Sequence, residues 1–321
     1  MSHSSGTSGP PRVVLVTGGA GFIGSHVVDL LLARDFQVIV VDDLSHGKLE
    51  NLAAHQDDPR LQLVVVDLRD DFAAALAGLP RPAAIVHLAA QISVPRSLAE
   101  PLLDLDVNLR ATVRLLHWAA AAGARRLVMA SSAAVYGDPA RMPVSEDMCD
   151  RPAAPYGVSK RAAELYLHCL GPGLGIAAAA LRLFNVYGPR QDPASPYSGV
   201  VSQFMARALA GEPLTIQGDG GHTRDFVHVA DVARAFVTAL DAPGIDGLIA
   251  NIGSGHATSI RALAEAIVAA AGSRSPIVHA AARAGDIVHS LATVDRARAA
   301  LGWQAETPLA AGLADTLAWL R

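Results

Sequence analysis

Lysine is almost missing from this chain. Of its 26 lysines and arginines, only Lys48 and Lys160 are lysine. With arginine as the default cation, a site that needs a compact ammonium instead of a planar guanidinium is one reason for a lysine, and chance is the other. Cysteine is just as scarce. Cys149 and Cys169 allow one disulfide at most, and neither sits in a C-x-x-C pair, which argues against a thiolate metal site or a redox pair. The twelve histidines are scattered, with no H-E-x-x-H or comparable metal spacing, so no metal is expected. No apolar run reaches the length of a membrane span, since A-A-A-A-L-R-L-F is broken by Arg182. Residues 1–11, M-S-H-S-S-G-T-S-G-P-P, lack the apolar core of a signal peptide and read as a flexible tail. A net charge of −4 gives no general attraction to nucleic acid or anionic lipid. A thiol-bearing cytoplasmic protein is the expectation.

What the chain has is alanine, valine and leucine, within a hydrophobic fraction of 51%. That suits helices packed on buried parallel strands. At 321 residues there is material for two domains, or for one large domain with a lobe. In the first half the apolar runs alternate in type. R-V-V-L-V-T, F-Q-V-I-V-V-D-D, L-Q-L-V-V-V-D, A-A-I-V-H-L-A-A and R-R-L-V-M-A-S-S read as strands. F-I-G-S-H-V-V-D-L-L-L-A-R and alanine-rich stretches read as helices. Strands alternating with helices predict an α/β fold, a doubly wound parallel Rossmann sheet, over residues 12–182. A smaller C-terminal substrate-binding lobe is expected from residues 183–321. Segments near 225–240 and 248–271 are expected to return to the main sheet. Just after residue 182 runs N-V-Y-G-P-R-Q-D-P-A-S-P-Y-S-G-V, a long loop of the kind that is usually functional.

T-G-G-A-G-F-I-G falls between the first strand and the first helix. Its Gly18, Gly21 and Gly24 sit three apart, a variant of the dinucleotide fingerprint. Such glycines let the turn close and let backbone N–H groups of Gly21, Phe22 and Ile23 approach a pyrophosphate. Asp42 ends the second strand, where it can accept from an adenosine ribose and repel a 2′-phosphate; Asp43 adds to the repulsion. The expected cofactor is NAD, not NADP. Asp67 and Leu68 follow the third strand, where they can reach adenine or simply form a polar strand end.

A-P-Y-G-V-S-K-R places Lys160 one helical turn from Tyr156. An ammonium there is expected to lower the phenol below its usual range of ~10, making a general base for a substrate hydroxyl. Ser131 and Ser132 end the strand before it, at the carboxyl edge where such sheets bind ligands. A serine hydroxyl there can hold the substrate oxygen.

G-G-A-G-F-I-G, S-S-A-A-V-Y-G and Y-G-V-S-K together resemble the extended short-chain dehydrogenase/reductase family, from about Arg12 to the end of the chain. Within it, L-R-L-F-N-V-Y-G-P-R-Q-D-P, G-D-G-G-H-T-R-D-F-V-H-V-A-D-V and R-A-G-D-I-V-H-S are most similar to nucleotide-sugar 4-epimerases of the UDP-glucose and UDP-N-acetylglucosamine type. The resemblance implies Ser132, Tyr156 and Lys160 as catalytic residues and a UDP-sugar as substrate. It implies that Asn185, Arg224 and Arg283 hold the diphosphate and that Asp286 binds the uridine ribose. Val200, Thr215 and Gln217 fall in segments that line the nucleotide in relatives. Ser93, beside Ile92, is expected close to the sugar. Ser290 stands where relatives restricted to plain hexoses carry tyrosine, which leaves room for an N-acetyl group.

Dehydratase and decarboxylase relatives carry acids just before V-Y-G, whereas this chain has Ala133 and Ala134 there. Epimerisation at C4 is therefore expected. A hexuronate epimerase, a decarboxylase or a non-catalytic NAD-binding module remain as alternatives. A homodimer is implied by the resemblance alone.

Overall fold

The computed structural model describes residues 12–139, 141–148, 151–193, 199–282 and 288–321. The strands are, in chain order, β1 (Val13–Thr17), β2 (Gln37–Asp42), β3 (Leu61–Val65), β4 (Ala84–His87), β5 (Arg126–Ser132) and β6 (Ala177–Leu183), then β7 (Asn185–Tyr187), β8 (Leu214–Gln217), β9 (Thr223–His228), β10 (Leu248–Ile252), β11 (Ala257–Ser259) and β12 (Ile277–Ala280). Seven of them make one parallel sheet in the order β3-β2-β1-β4-β5-β6-β10. The winding reverses between β1 and β4, and at that switch point the carboxyl ends of the strands leave a crevice for a ligand.

These strands read as continuous apolar runs because both faces are covered. Along β1 the side chains alternate between two cores. Val14 and Val16 face the helices Phe22–Ala33 and Val229–Ala239, through Val27, Val28, Leu31, Val232 and Phe236. Val13 and Leu15 face the helices Ala111–Ala122 and Pro155–Leu170, through Leu115, Leu116, Ala163 and Leu167. The second of these helices carries Tyr156 and Lys160, so burying its apolar stripe on the sheet sets the height of both side chains.

The remaining strands form a second lobe. β9 pairs with β7 in parallel and with β11 antiparallel, and β8 pairs with β12 in parallel. Their core is shared by the helices Val200–Ala210, Ile260–Ala271 and Leu309–Leu320, through Phe204, Met205, Leu263, Ile267 and Leu313. The expectation for residues 248–271 needs correction here. The strand β10 lies in the main sheet, but helix Ile260–Ala271 packs in the lobe. An amphipathic stripe states that a helix buries one face, and it is silent on which surface receives that face.

The loop after β7 is tied back to the nucleotide-binding half. Asp192 pairs with Lys48 at 2.6 Å, Arg190 with Asp29 at 2.8 Å, and His26 meets the Pro189 carbonyl at 3.0 Å. The tail 1–11 and most of the following stretch, 194–198, lie outside the described residues.

Candidate active site

The glycine loop leaves β1 at the switch point. Gly18 has φ +69°, in the left-handed region that suits glycine, and its N–H donates to the Val41 carbonyl of β2. Gly24 is packed harder still: a Cβ there would lie 2.0 Å from the Gly18 carbonyl oxygen. The first helix can thus begin directly against the turn. Gly21 is its N-cap and supplies no side-chain acceptor to its first-turn N–H groups. Phe22 and Ile23 open that helix, half-buried.

Asp42 is nearly buried at the end of β2. One carboxylate oxygen accepts from the Ala20 N–H and the other from the Leu44 N–H, each at 2.9 Å. Burial raises its pKa, and those two backbone donors oppose the rise. Asp42 thereby braces the glycine loop. Asp43 caps its own turn, accepting from the Ser45 N–H and hydroxyl. Asp67 is taken up by Arg69, with contacts down to 2.6 Å, and those hydrogen bonds hold its pKa low. Leu68 is buried, and its carbonyl accepts from Arg114. Of the two readings open for Asp67, the pair with Arg69 is in keeping with a polar strand end.

Tyr156 and Lys160 sit on the first turns of helix Pro155–Leu170, with Pro155 at its first position. Gly157 lets this end of the helix approach the sheet, because a Cβ there would lie 2.5 Å from the Ala134 carbonyl oxygen. The approach brings the Tyr156 phenol close enough to Ser132 for that side chain to influence its titration. Lys160 is buried and donates to the Ala130 carbonyl of β5 at 3.0 Å. Burial pushes its pKa down to about 8, opposed by the charges of Asp104 and Glu164. For the phenol the expectation is reversed. Burial raises the Tyr156 pKa, Ser132 works the other way, and the Asp104 charge raises it further. Desolvation of the phenolate is the largest of these effects.

Ser131 also departs from expectation. Its hydroxyl is buried and donates to Glu164 Oε1 at 2.5 Å. Adjacent strand residues face opposite sides, so only Ser132 turns toward Tyr156. Ser93 is buried too, as the N-cap of helix Val94–Ala99; its hydroxyl accepts from the Arg96 N–H, while neighbouring Ile92 is half exposed.

On the lobe side, Thr215 and Gln217 alternate with buried Leu214 and Ile216 and share the half-open face of β8. Val200 begins helix Val200–Ala210, and Asn185 is exposed on β7, in register with Phe226 of β9. Arg224 lies on β9 and donates to its neighbour's carbonyl, Thr223 O, at 2.9 Å. Ser290 is half-buried, its N–H donating to the same carbonyl at 3.1 Å. Arg283 and Asp286 lie outside the described residues.

A model of the NAD dependent epimerase/dehydratase family matches residues 14–253. The chain belongs to that family. A UDP-glucose 4-epimerase of Mycolicibacterium smegmatis is 44% identical over 308 residues, covering 96% of this chain and 98% of the relative. Among solved structures, the UDP-N-acetylglucosamine 4-epimerase of Methanobrevibacter ruminantium superposes with a TM-score of 0.91 at 35% identity, over 97% of this chain and 99% of that one. The UDP-glucose 4-epimerase of Thermus thermophilus, in complex with NAD, gives 0.86 at 39% identity over the same shares. The cofactor of this epimerase-family chain is NAD, and the loop fits it. The space beside Gly18 and Gly24 excludes side chains, and a helix N-terminus without a side-chain cap can receive the pyrophosphate.

Two sets of residues at this site escape sequence reasoning. Glu164 stands one turn beyond Lys160, fully buried, and forms a two-pronged ion pair with Arg182 of β6 at 2.8 and 2.9 Å. It also takes Ser131 and Arg161. Arg182 in turn lies over the Tyr136 ring, 4.7 Å from its centre. The second set is Gln91, Asp104 and Asn108, a buried polar group beside the helix. The i, i+4, i+8 run of Tyr156, Lys160 and Glu164 was the available signal for the first.

Proposed function

We propose that this chain interconverts C4 epimers of UDP-hexoses, and that its sugar pocket admits N-acetylated hexoses as well as plain ones. The observation that carries this is the set at the carboxyl edge of β5: Ser132 beside Tyr156, Lys160 one turn behind, and Ala133–Ala134 where a second acid would have to stand. The 3-10 turn Ala133–Tyr136 offers no carboxylate for removing water or CO₂. One proton-transferring group and one oxidisable carbon suffice for epimerisation.

Ser132 orients the 4-hydroxyl toward Tyr156, which takes its proton as the C–H bond at C4 breaks and gives it back when that bond re-forms. The chemistry NAD supplies when bound is reversible two-electron oxidation at C4, which makes the 4-keto sugar the link between the epimers. Lys160 keeps positive charge beside the phenol and offers a donor to the nicotinamide ribose. Asn185, Arg224 and Arg283 grip the diphosphate and Asp286 the uridine ribose, so the keto sugar can turn over while its nucleotide stays fixed. Val200, Thr215 and Gln217 flank the nucleotide. Proton NMR of UDP-glucose and UDP-N-acetylglucosamine mixed with the protein tests the reading: each gives its C4 epimer without added NAD. Two unchanged spectra would refute it.

Ser290 carries the substrate range, and Ser290→Tyr tests it. A tyrosine fills the space beside C2, so kcat/KM for UDP-N-acetylglucosamine falls by about 10-fold or more while UDP-glucose turnover persists. Equal losses on both substrates would remove Ser290 from the pocket.

The active assembly is a homodimer. Leu98, Leu102, Leu105, Val158, Leu165 and Tyr166 are all exposed on the short helices at 94–105 and on the catalytic helix they pack against. A second copy of the same face covers them; sedimentation as a monomer at micromolar concentration would contradict this. Among the described residues no helix is long and apolar enough to cross a membrane, and the exposed free thiol Cys169 suits the cytoplasm.

A further inference from the structure

Asp104 is a charged side chain in a place that ordinarily excludes charge. It lies on helix Pro101–Leu105 and is 1% exposed. Its Oδ1 accepts from Gln91 Nε2 at 2.8 Å and from Asn108 Nδ2 at 3.0 Å. Its Oδ2 is buried with no hydrogen-bond partner. A carboxylate oxygen left bare in the interior costs free energy unless opposite charge stands near it.

The buried cation on which that carboxylate acts is Lys160. The Asp104 carboxylate acts on both Lys160 and Tyr156. Asn108 links it to the same helix, since its Nδ2 also reaches Ser159 Oγ at 3.3 Å, next to Lys160 in the chain. The other groups facing the lysine are accounted for. Glu164 is claimed by Ser131, Arg161 and Arg182. His87, on β4, is held between Thr17 and Thr112, and burial keeps it neutral, with a pKa of about 3. Of the two carboxylates near Lys160, only Asp104 keeps an oxygen without a donor.

We propose that Asp104 is a positioning residue of this site, the buried counter-charge that holds Lys160 as an ammonium beside Tyr156. The Gln91–Asn108–Ser159 hydrogen bonds fix where that charge sits. The inference rests on Lys160 belonging to the catalytic pair, and the test separates the two claims.

The near absence of lysine makes the test direct. Protein labelled with carbon-13 at the lysine Cε shows two signals, and Lys48→Arg assigns one of them. In the unaltered chain the Lys160 signal titrates near the value of about 8 set by its surroundings. In Asp104→Asn, which keeps an acceptor for Gln91 and Asn108, it titrates about one pH unit lower or more. The alkaline limb of kcat for UDP-glucose moves down with it. Asp104→Ser, with a smaller neutral side chain, gives the same shift and serves if the asparagine variant does not fold. An unmoved Lys160 titration overturns the proposal, whatever happens to kcat. A moved Lys160 signal with an unmoved limb sustains the counter-charge role and removes Lys160 from catalysis.

Discussion

Tyr156→Phe lowers kcat for UDP-sugar epimerisation by about 10²–10⁴-fold, the usual worth of a positioned general base. KM changes little, because the phenol oxygen matters most while the proton is moving. The variant still folds and still carries NAD, since the glycine loop and Asp42 are remote from the phenol in the chain and in their hydrogen bonds. Two assays are needed: turnover by NMR, and NAD released on denaturation. Near-normal turnover would take the base away from Tyr156. Lost turnover together with lost NAD would mean that the ring holds the cofactor and that the rate effect is indirect.

Arg182→Met destabilises the protein by about 3–5 kcal/mol, because it leaves the Glu164 carboxylate buried with its main partner gone. Arg161 remains, but it is partly exposed and reaches one oxygen only. The surface pair Arg12–Asp241 is the natural control. Both of its side chains are about half exposed, so Arg12→Met should change stability by about 1 kcal/mol or less. Urea midpoints of the two variants decide the matter, and equal midpoints would deny the buried pair its role. The loss reaches the active site by a short route. Glu164 clamps the catalytic helix to β5 through Ser131 and to β6 through Arg182.

How much of this was legible in the sequence follows the range of the interaction. The glycine loop and the Tyr156–Lys160 pair depend on contacts within a few residues, and the order of amino acids states those contacts directly. The central sheet was legible for a related reason: strands buried on both faces read as short unbroken apolar runs. Asp104 and Glu164 were not legible. A carboxylate in a helical stretch looks the same whether it meets water or a buried partner, and only the packing of helix Pro155–Leu170 on β5 and β6 decides. Ser131 and Ser132 show the limit at its sharpest. They are adjacent and chemically identical, and the strand's two-residue period sends one to Glu164 and the other to Tyr156. The Tyr156 pKa misled for a further reason. Sequence spacing reveals a neighbouring ammonium but not how little water reaches the phenol, and desolvation is what raises its pKa.

The most direct measurement follows a deuterium atom at C4 of UDP-glucose through the reaction, without added NAD. The account predicts UDP-galactose of unchanged mass that still carries the deuterium at C4, because the atom leaves as hydride and returns to the same carbon from within the protein. Deuterium lost to water, or a product of lower mass, would contradict it.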